Sequence, residues 1–138
     1  MSASLSDILT TQKNGVVALG NLASYFLATY NNITTSQICQ SALGTSVSTL
    51  YTASSGTKSH VNSIKICNTT SGSISFYIFI VPPGGAAGTG NAIFYNAPIP
   101  ANTTVLWDGV QIIQAGGTLQ AYASAAGVTI TVSGGTAV

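Results

Sequence analysis

The segment that decides the fold is Ile74-Ser75-Phe76-Tyr77-Ile78-Phe79-Ile80-Val81. Isoleucine, valine and aromatic residues are enriched in strands, and successive side chains of a strand point to opposite faces. The even-numbered residues from 74 to 80 are all apolar, and they form one face of the predicted strand. Tyr77, Phe79 and Val81 form the other face, which is apolar as well. We therefore expect both faces of this strand to be covered.

An antiparallel sandwich usually leaves one face of each sheet in water. The second apolar face of segment 74–81 is explained if three sandwiches pack around a common axis. Tyr77 and Phe79 are accordingly predicted to lie at an interface between copies of the chain.

Short segments rich in Thr, Val, Ile and Tyr surround this strand, and Gly, Ser, Asn and Pro clusters separate them. Such spacing is typical of short antiparallel strands and their turns. The predicted strands lie near 47–53, 60–67, 73–81, 92–96, 103–107, 110–114, 118–124 and 128–133. Tight turns are predicted at Trp107-Asp108-Gly109 and Ala115-Gly116-Gly117. The expected fold is a mainly β, jelly-roll-like antiparallel β-sandwich that follows an N-terminal helix.

The N-terminal residues, 5 to about 30, show helical periodicity, with apolar residues at steps of three and four. Heptad spacing favours a coiled-coil seam that Gln12 and Gly15 weaken, and the alternative is packing of the stripe on the chain's own β domain. The residues predicted to form an oligomer interface here are Leu5, Ile8, Leu9, Leu19, Leu22 and Phe26. The chain then divides into a helix for attachment and oligomerisation (1–35), a linker (36–45) and a β-sandwich knob (46–138).

Charged residues make up only 4% of the chain, against about 25% in ordinary soluble proteins. With a formal net charge of +1, little repulsion separates copies of the chain, so we expect self-association. Nucleic-acid binding needs several basic groups, and only Lys13, Lys58 and Lys65 are present, so it is not expected.

The first residues lack the positive region of a secretory signal, and the longest apolar stretch, 16–30, is too short to span a bilayer. No membrane insertion is expected.

Cys39 and Cys67 are too few for a disulfide framework and are not spaced as metal ligands. They are either two buried or half-buried thiols or a disulfide pair, within one chain or between subunits.

Acid–base or nucleophilic catalysis needs groups that this chain almost lacks. It has one histidine, His60, two acidic residues, Asp7 and Asp108, and no nucleophile-elbow sequence. We expect a protein that is not an enzyme and that uses no cofactor and no metal.

A glycine-rich loop follows the central strand, and its candidate ligand contacts are Gly84, Gly85, Gly88 and Gly90. It lacks the lysine of a phosphate-binding loop and does not open a helix, so a flexible loop is expected. Loops at the tip of a sandwich often bind ligands, and exposed tyrosines stack on sugars. A carbohydrate- or receptor-binding module that contacts a host surface is therefore the alternative function.

Three stretches carry a resemblance to a known class of protein: LTTQKNGVVAL (9–19), VNSIKICNTT (61–70) and LWDGVQIIQAGGTL (106–119). In this arrangement of helix, strands and turns, the chain resembles small virion structural proteins of tailed bacteriophages. The resemblance implies a short spike, fibre or capsid-decorating subunit on head, neck or tail, located in the virion. It also implies a homo-oligomer, a trimer first, in contact with other virion proteins.

Overall fold

The computed structural model describes residues 33–137, which form eight strands and one short 3₁₀ helix, η1, at Thr89–Asn91. The strands are β1 Ile33–Ala42, β2 Ser48–Thr52, β3 Lys58–Asn68, β4 Ile74–Val81, β5 Ala92–Ile99, β6 Thr103–Ile113, β7 Thr118–Ala123 and β8 Val128–Ala137. The prediction of a mainly β, antiparallel fold is confirmed. The predicted N-terminal helix, with its interface positions Leu5, Ile8, Leu9, Leu19, Leu22 and Phe26, lies outside the described residues.

The strands form two four-stranded sheets, one in the order β1-β8-β3-β6 and the other in the order β2-β7-β4-β5. The first strand pairs with the last, the second with the seventh, the third with the sixth, and the fourth with the fifth. Successive pairs of this nested series lie in alternate sheets. This is the strand connectivity of an eight-stranded jelly roll.

The core lies between the two sheets and is made of aliphatic residues and Phe76. From the first sheet, Ile64 and Ile130 are fully buried, and from the second, Ile78 and Leu119 are fully buried. Tyr51 bridges the sheets, because its hydroxyl lies 2.8 Å from the hydroxyl of Ser59, one of two buried polar residues of the described chain. The strand predicted at 73–81 is confirmed as β4, with Ile74, Phe76 and Ile78 in the core.

The second apolar face of β4 is covered within the same chain at Phe79 and Val81. Phe79 is 3% exposed and Val81 is 1% exposed, although neither belongs to the cluster between the sheets. The loop after β4 passes so close that a Cβ placed on Gly85 would lie 3.3 Å from Cγ1 of Val81. Phe79 therefore offers almost no surface to the predicted subunit interface, whereas Tyr77 is only half-buried and its interface role stays a prediction.

The linker predicted at 36–45 is wrong for most of its length, because strand β1 occupies Ile33–Ala42. This strand lies at a sheet edge beside β8, and residues 34–37 are exposed and polar. Hydrogen bonding to β8 and the buried side chain of Ile38 hold it in place. An edge strand that buries so little apolar surface has no clear alternating pattern, and its sequence therefore looks like a linker.

The two strands predicted at 103–107 and 110–114 are one continuous strand, β6. It pairs with β3 on both sides of a shift in register, with Asp108 opposite Ser63 and Gln111 opposite Val61. The predicted turn at Trp107-Asp108-Gly109 is therefore a β-bulge, which inserts an extra residue without reversing the chain. The turn predicted at residues 115–117 is confirmed, since Gly116 has a φ of +80° and the amide of Gly117 donates to the carbonyl of Gln114 at 2.7 Å.

Candidate ligand cleft and assembly surface

Four aromatic rings cluster on the outer face of the sheet that contains β4. Tyr77 and Tyr122 lie opposite each other on β4 and β7, and their rings stack with centroids 4.3 Å apart. Phe79 lies nearly parallel to Tyr122 at 6.2 Å, and the edge of Tyr95 meets Tyr77 at 5.1 Å. This follows from strand geometry, because residues two apart on one strand share a face with the residue opposite on the next.

The glycine-rich loop beside this cluster is held by its own hydrogen bonds. The side chain of Asn91 donates to the carbonyl of Ala86 at 2.9 Å and accepts from the amide of Gly88 at 3.1 Å. At the start of the loop, the amide of Gly85 donates to the carbonyl of Pro82 at 2.9 Å. These bonds link residues within the loop, and the expectation of a flexible segment stays a prediction.

An open cleft of about 430 Å³ lies between the rings, the loop and the segment before β2. We call it the aromatic cleft, and its lining residues are Ser46, Val47, Phe79, Ala87, Gly88, Thr89, Tyr95 and Tyr122. Its volume lies within the range of roughly 300–1,000 Å³ that is common for small-molecule sites. Tyr95 is the most accessible of its rings, at 56% exposed.

The lining of the cleft is neutral, since it contains none of the chain's Lys, His, Asp or Cys residues. Partial burial raises the pKa of the Tyr122 phenol above its ordinary value, and the neighbouring Tyr77 and Tyr95 add to this shift. Tyr122 therefore keeps its proton to a higher pH than a free tyrosine. Such a lining supports stacking and hydrogen bonding.

The structure brings together only part of the predicted ligand site. Gly88 lines the cleft, whereas Gly84, Gly85 and Gly90 belong to the loop without lining it. Ser46, Val47 and Phe79 were missed by the sequence analysis. They come from segments far apart in the chain, and no local pattern marks them as neighbours.

Two further aromatic residues, Tyr51 and Trp107, do not line the cleft. Tyr51 points between the sheets, and Trp107 packs against the core.

A second surface lies on the opposite sheet, along the edge strand β6. Leu106, Val110 and Ile112 alternate with the inward-facing residues of the strand, and they are 55%, 66% and 41% exposed. We call this surface the apolar ridge. No described strand pairs with the outer edge of β6, and natural proteins usually protect such edges with charges, prolines or bulges. The ridge therefore combines an unpaired edge with exposed aliphatic side chains.

The few titratable residues of this sheet are placed by the register of β3 and β6. In the register of β3 and β6, His60 lies opposite Ile112 and Asp108 lies opposite Ser63. Across residues 33–137, no hydrogen bond or ion pair links His60 to Asp108 or to a serine, and no three of His, Cys, Asp and Glu gather as metal ligands.

The two cysteines are free, so the in-chain disulfide among the predicted alternatives is not formed. Strand β8 lies between β1, which carries Cys39, and β3, which carries Cys67. Strands two places apart in a sheet are separated by about 9–10 Å, which exceeds the reach of a disulfide. A bridge between subunits stays a prediction.

Asn68 begins one of the Asn-X-Thr stretches of the chain, yet its side chain is fully buried. Its amide nitrogen donates to the carbonyls of Gly72, Ile99 and Pro100 at 2.7, 3.0 and 3.2 Å. Its oxygen accepts from the amide and hydroxyl of Thr70 at 2.9 and 2.7 Å. This residue therefore has a structural role and joins the β3–β4 turn to the end of β5.

Among the helices in residues 33–137, none has the length and hydropathy of a membrane-spanning segment.

Comparison with known proteins found no matching family model and no matching curated protein. The similar solved structures include two of infectious bursal disease virus, an animal virus. The structure of the Gx strain shows 16% identity and a TM-score of 0.47, over 77% of this chain and 32% of that chain. The structure of the Gt strain shows 17% identity and a TM-score of 0.38, over 75% and 30%. This chain spans about a third of those viral chains, and neither structure is of a tailed bacteriophage.

Proposed function

We propose that this chain is a non-enzymatic structural subunit of a virus particle and that it assembles with copies of itself. The observation that carries the proposal is the apolar ridge on edge strand β6. Jelly rolls occur in viral coats but also in lectins and cupins, so the fold alone does not choose between these functions. Exposed Leu106, Val110 and Ile112 on an unpaired edge favour assembly.

The bulge in β6 determines how such a contact would form. Around Gly109 the strand bends, so that a second chain would not pair along its whole length. The contact would then be made mainly by the three ridge side chains packing against an apolar surface of a neighbour. The low charge of the chain supports this contact, because Lys58, Lys65 and Asp108 are the only Lys, Arg, Asp or Glu residues in 33–137.

Within this class, the specific role that we propose is a short spike, fibre or decoration subunit of a tailed bacteriophage, assembled first as a trimer. Its support is the resemblance of stretches 9–19, 61–70 and 106–119 to such proteins, and the last stretch contains the apolar ridge. The proposal places the chain in the virion, in contact with other virion proteins, with the N-terminal residues before β1 as the attachment segment.

Sedimentation velocity of the full chain tests self-assembly. We expect an oligomer at micromolar concentration, and a monomer when Leu106→Ser, Val110→Ser and Ile112→Ser are combined. Val47→Ser is the matched control, because Val47 is 47% exposed but lies in the segment before β2, away from the ridge, and it should still assemble. Circular dichroism should give the same spectrum for all three proteins.

A wild-type chain that stays monomeric and does not sediment with virus particles would refute the proposal. A triple variant that still assembles would show that the ridge is not the contact. Images of the oligomer or of the particle that carries it would count the copies and test the trimer.

A further inference from the structure

We infer that the aromatic cleft is a binding site for a neutral saccharide, which is a function separate from assembly. The first reason is electrostatic. A charged ligand in the cleft would lose part of its hydration without gaining an opposite charge, since the lining holds no ionisable Lys, His, Asp or Cys. The site therefore matches an uncharged ligand.

The second reason is the mixture of ring surfaces and hydroxyl groups. Tyr95 and Tyr122 present aromatic surface, and Ser46 and Thr89 add hydroxyl groups at the same cleft. A pyranose ring has an apolar face of C–H groups and a rim of hydroxyls. Aromatic rings pack against the first, and hydroxyl and phenol groups exchange hydrogen bonds with the second.

The third reason is that the wall of the cleft is already formed. Both polar atoms of the Asn91 side chain are engaged in holding the loop, through Ala86 and Gly88. The entropic cost of ordering the loop when a ligand binds is therefore small. Such a cost has most effect on a ligand that binds weakly, as sugars do. Proline-rich peptides also bind aromatic grooves, but they need an extended groove, whereas this cleft is bounded by the loop and rimmed with hydroxyls.

Saturation-transfer NMR with the full chain tests the inference. The probes are neutral trisaccharides built from glucose, galactose, mannose, xylose or N-acetylglucosamine. Sialyllactose and a proline-rich peptide are the comparison ligands. We expect transfer to at least one neutral trisaccharide, strongest at protons of a single sugar face.

Two variants assign the binding to the cleft. Titration calorimetry with the best trisaccharide should show affinity that is weaker by about tenfold or more in Tyr95→Ala, which removes the most exposed ring. Asn91→Ala should weaken binding by releasing the loop wall, although Asn91 does not line the cleft. Asn62→Ala is the control, because Asn62 is exposed on the other sheet and its substitution should leave the affinity unchanged.

Absence of transfer to every neutral trisaccharide would overturn the inference, and so would unchanged affinity in Tyr95→Ala. Binding of the charged sugar or the peptide alone would assign the cleft to another ligand and refute it as well. Sedimentation of the same variants is read separately. A monomeric chain that binds sugar refutes only the assembly proposal, and an oligomer that binds none refutes only this one.

Discussion

Asn68 is a buried polar residue whose side chain is hydrogen-bonded through both its nitrogen and its oxygen. Its two N–H groups and its oxygen have five hydrogen-bonding partners in a site with no solvent exposure. Removing such a group leaves buried carbonyls without donors, and this loss costs more than the bonds themselves contribute. The Asn-X-Thr pattern that begins at Asn68 is therefore a poor guide to N-glycosylation, because this amide is inaccessible in the folded chain.

Asn68→Ala is expected to lower the free energy of unfolding by about 2–4 kcal/mol. Urea denaturation followed by tryptophan fluorescence measures it, at one protein concentration because association adds to apparent stability. Asn62→Ala, on the same strand but exposed, should change the free energy little. Equal effects of the two substitutions would mean that the buried network contributes nothing.

Cys39 gives a prediction about pH. Partial burial raises its pKa from an ordinary 9.0 to about 11, because the folded chain disfavours the thiolate. As the pH rises, the Cys39 thiol therefore loses its proton in the unfolded chain before it does so in the folded chain. The stabilisation of the folded chain by the protonated thiol is fully present below about pH 9 and is lost as the pH rises toward 11. Stability should decline over that window, and less so in Cys39→Ala.

Alkylation offers an independent measurement of the same thiol. In a Cys67→Ser background at pH 8, Cys39 should react with iodoacetamide roughly tenfold to a hundredfold more slowly in the folded chain than in urea. Equal rates in the two states would contradict the raised pKa.

At the scale of elements, the bulge in β6 depends on the contact between Gly109 and Trp107. A Cβ on Gly109 would lie 2.6 Å from Cζ2 and 2.9 Å from Cη2 of the Trp107 indole. The ring thus lies across the glycine while it packs against the core. The strand continues through this point because Gly109 leaves room for the ring, and not because it turns the chain.

Gly109→Ala is therefore expected to displace the indole and to destabilise the chain by about 1–3 kcal/mol. Trp107 is the single tryptophan, so its emission maximum and intensity report the displacement directly. Gly72→Ala is the matched control, since a Cβ there meets no atom within 4 Å. If the spectrum and stability of Gly109→Ala match those of the wild type, the packing contact is unimportant.

At the scale of the whole molecule, the two candidate surfaces lie on different sheets. The aromatic cleft is on the outer face of the sheet of β4, and the apolar ridge is on the edge strand of the other sheet. A subunit held by its ridge would therefore leave the cleft open to a ligand. The jelly roll permits this arrangement because each of its sheets has its own outer face.

Much of the fold could be predicted from local sequence. The central strand 74–81 was recognisable because seven of its eight residues favour strands. The turn at 115–117 was recognisable because paired glycines favour the positive φ that tight turns need. Strand β1 and the continuity of β6 were not recognisable. Strand β1 depends on hydrogen bonds to a strand about ninety residues away. The continuity of β6 depends on Trp107, which lies over Gly109, and a glycine at that position by itself indicates a turn.

The candidate site could likewise be predicted only in part from the sequence. From the sequence alone came the scarcity of charge, the expectation that the protein is not an enzyme, and the suggestion that tyrosines and a glycine loop form a ligand site. Only the tertiary structure decided that Tyr95, Tyr122 and Gly88 share a cleft with Val47, and that Phe79 is covered by its own chain. The physical reason is that composition and local periodicity are properties of neighbouring residues. A binding surface depends on long-range strand pairing, which determines which distant side chains share a face.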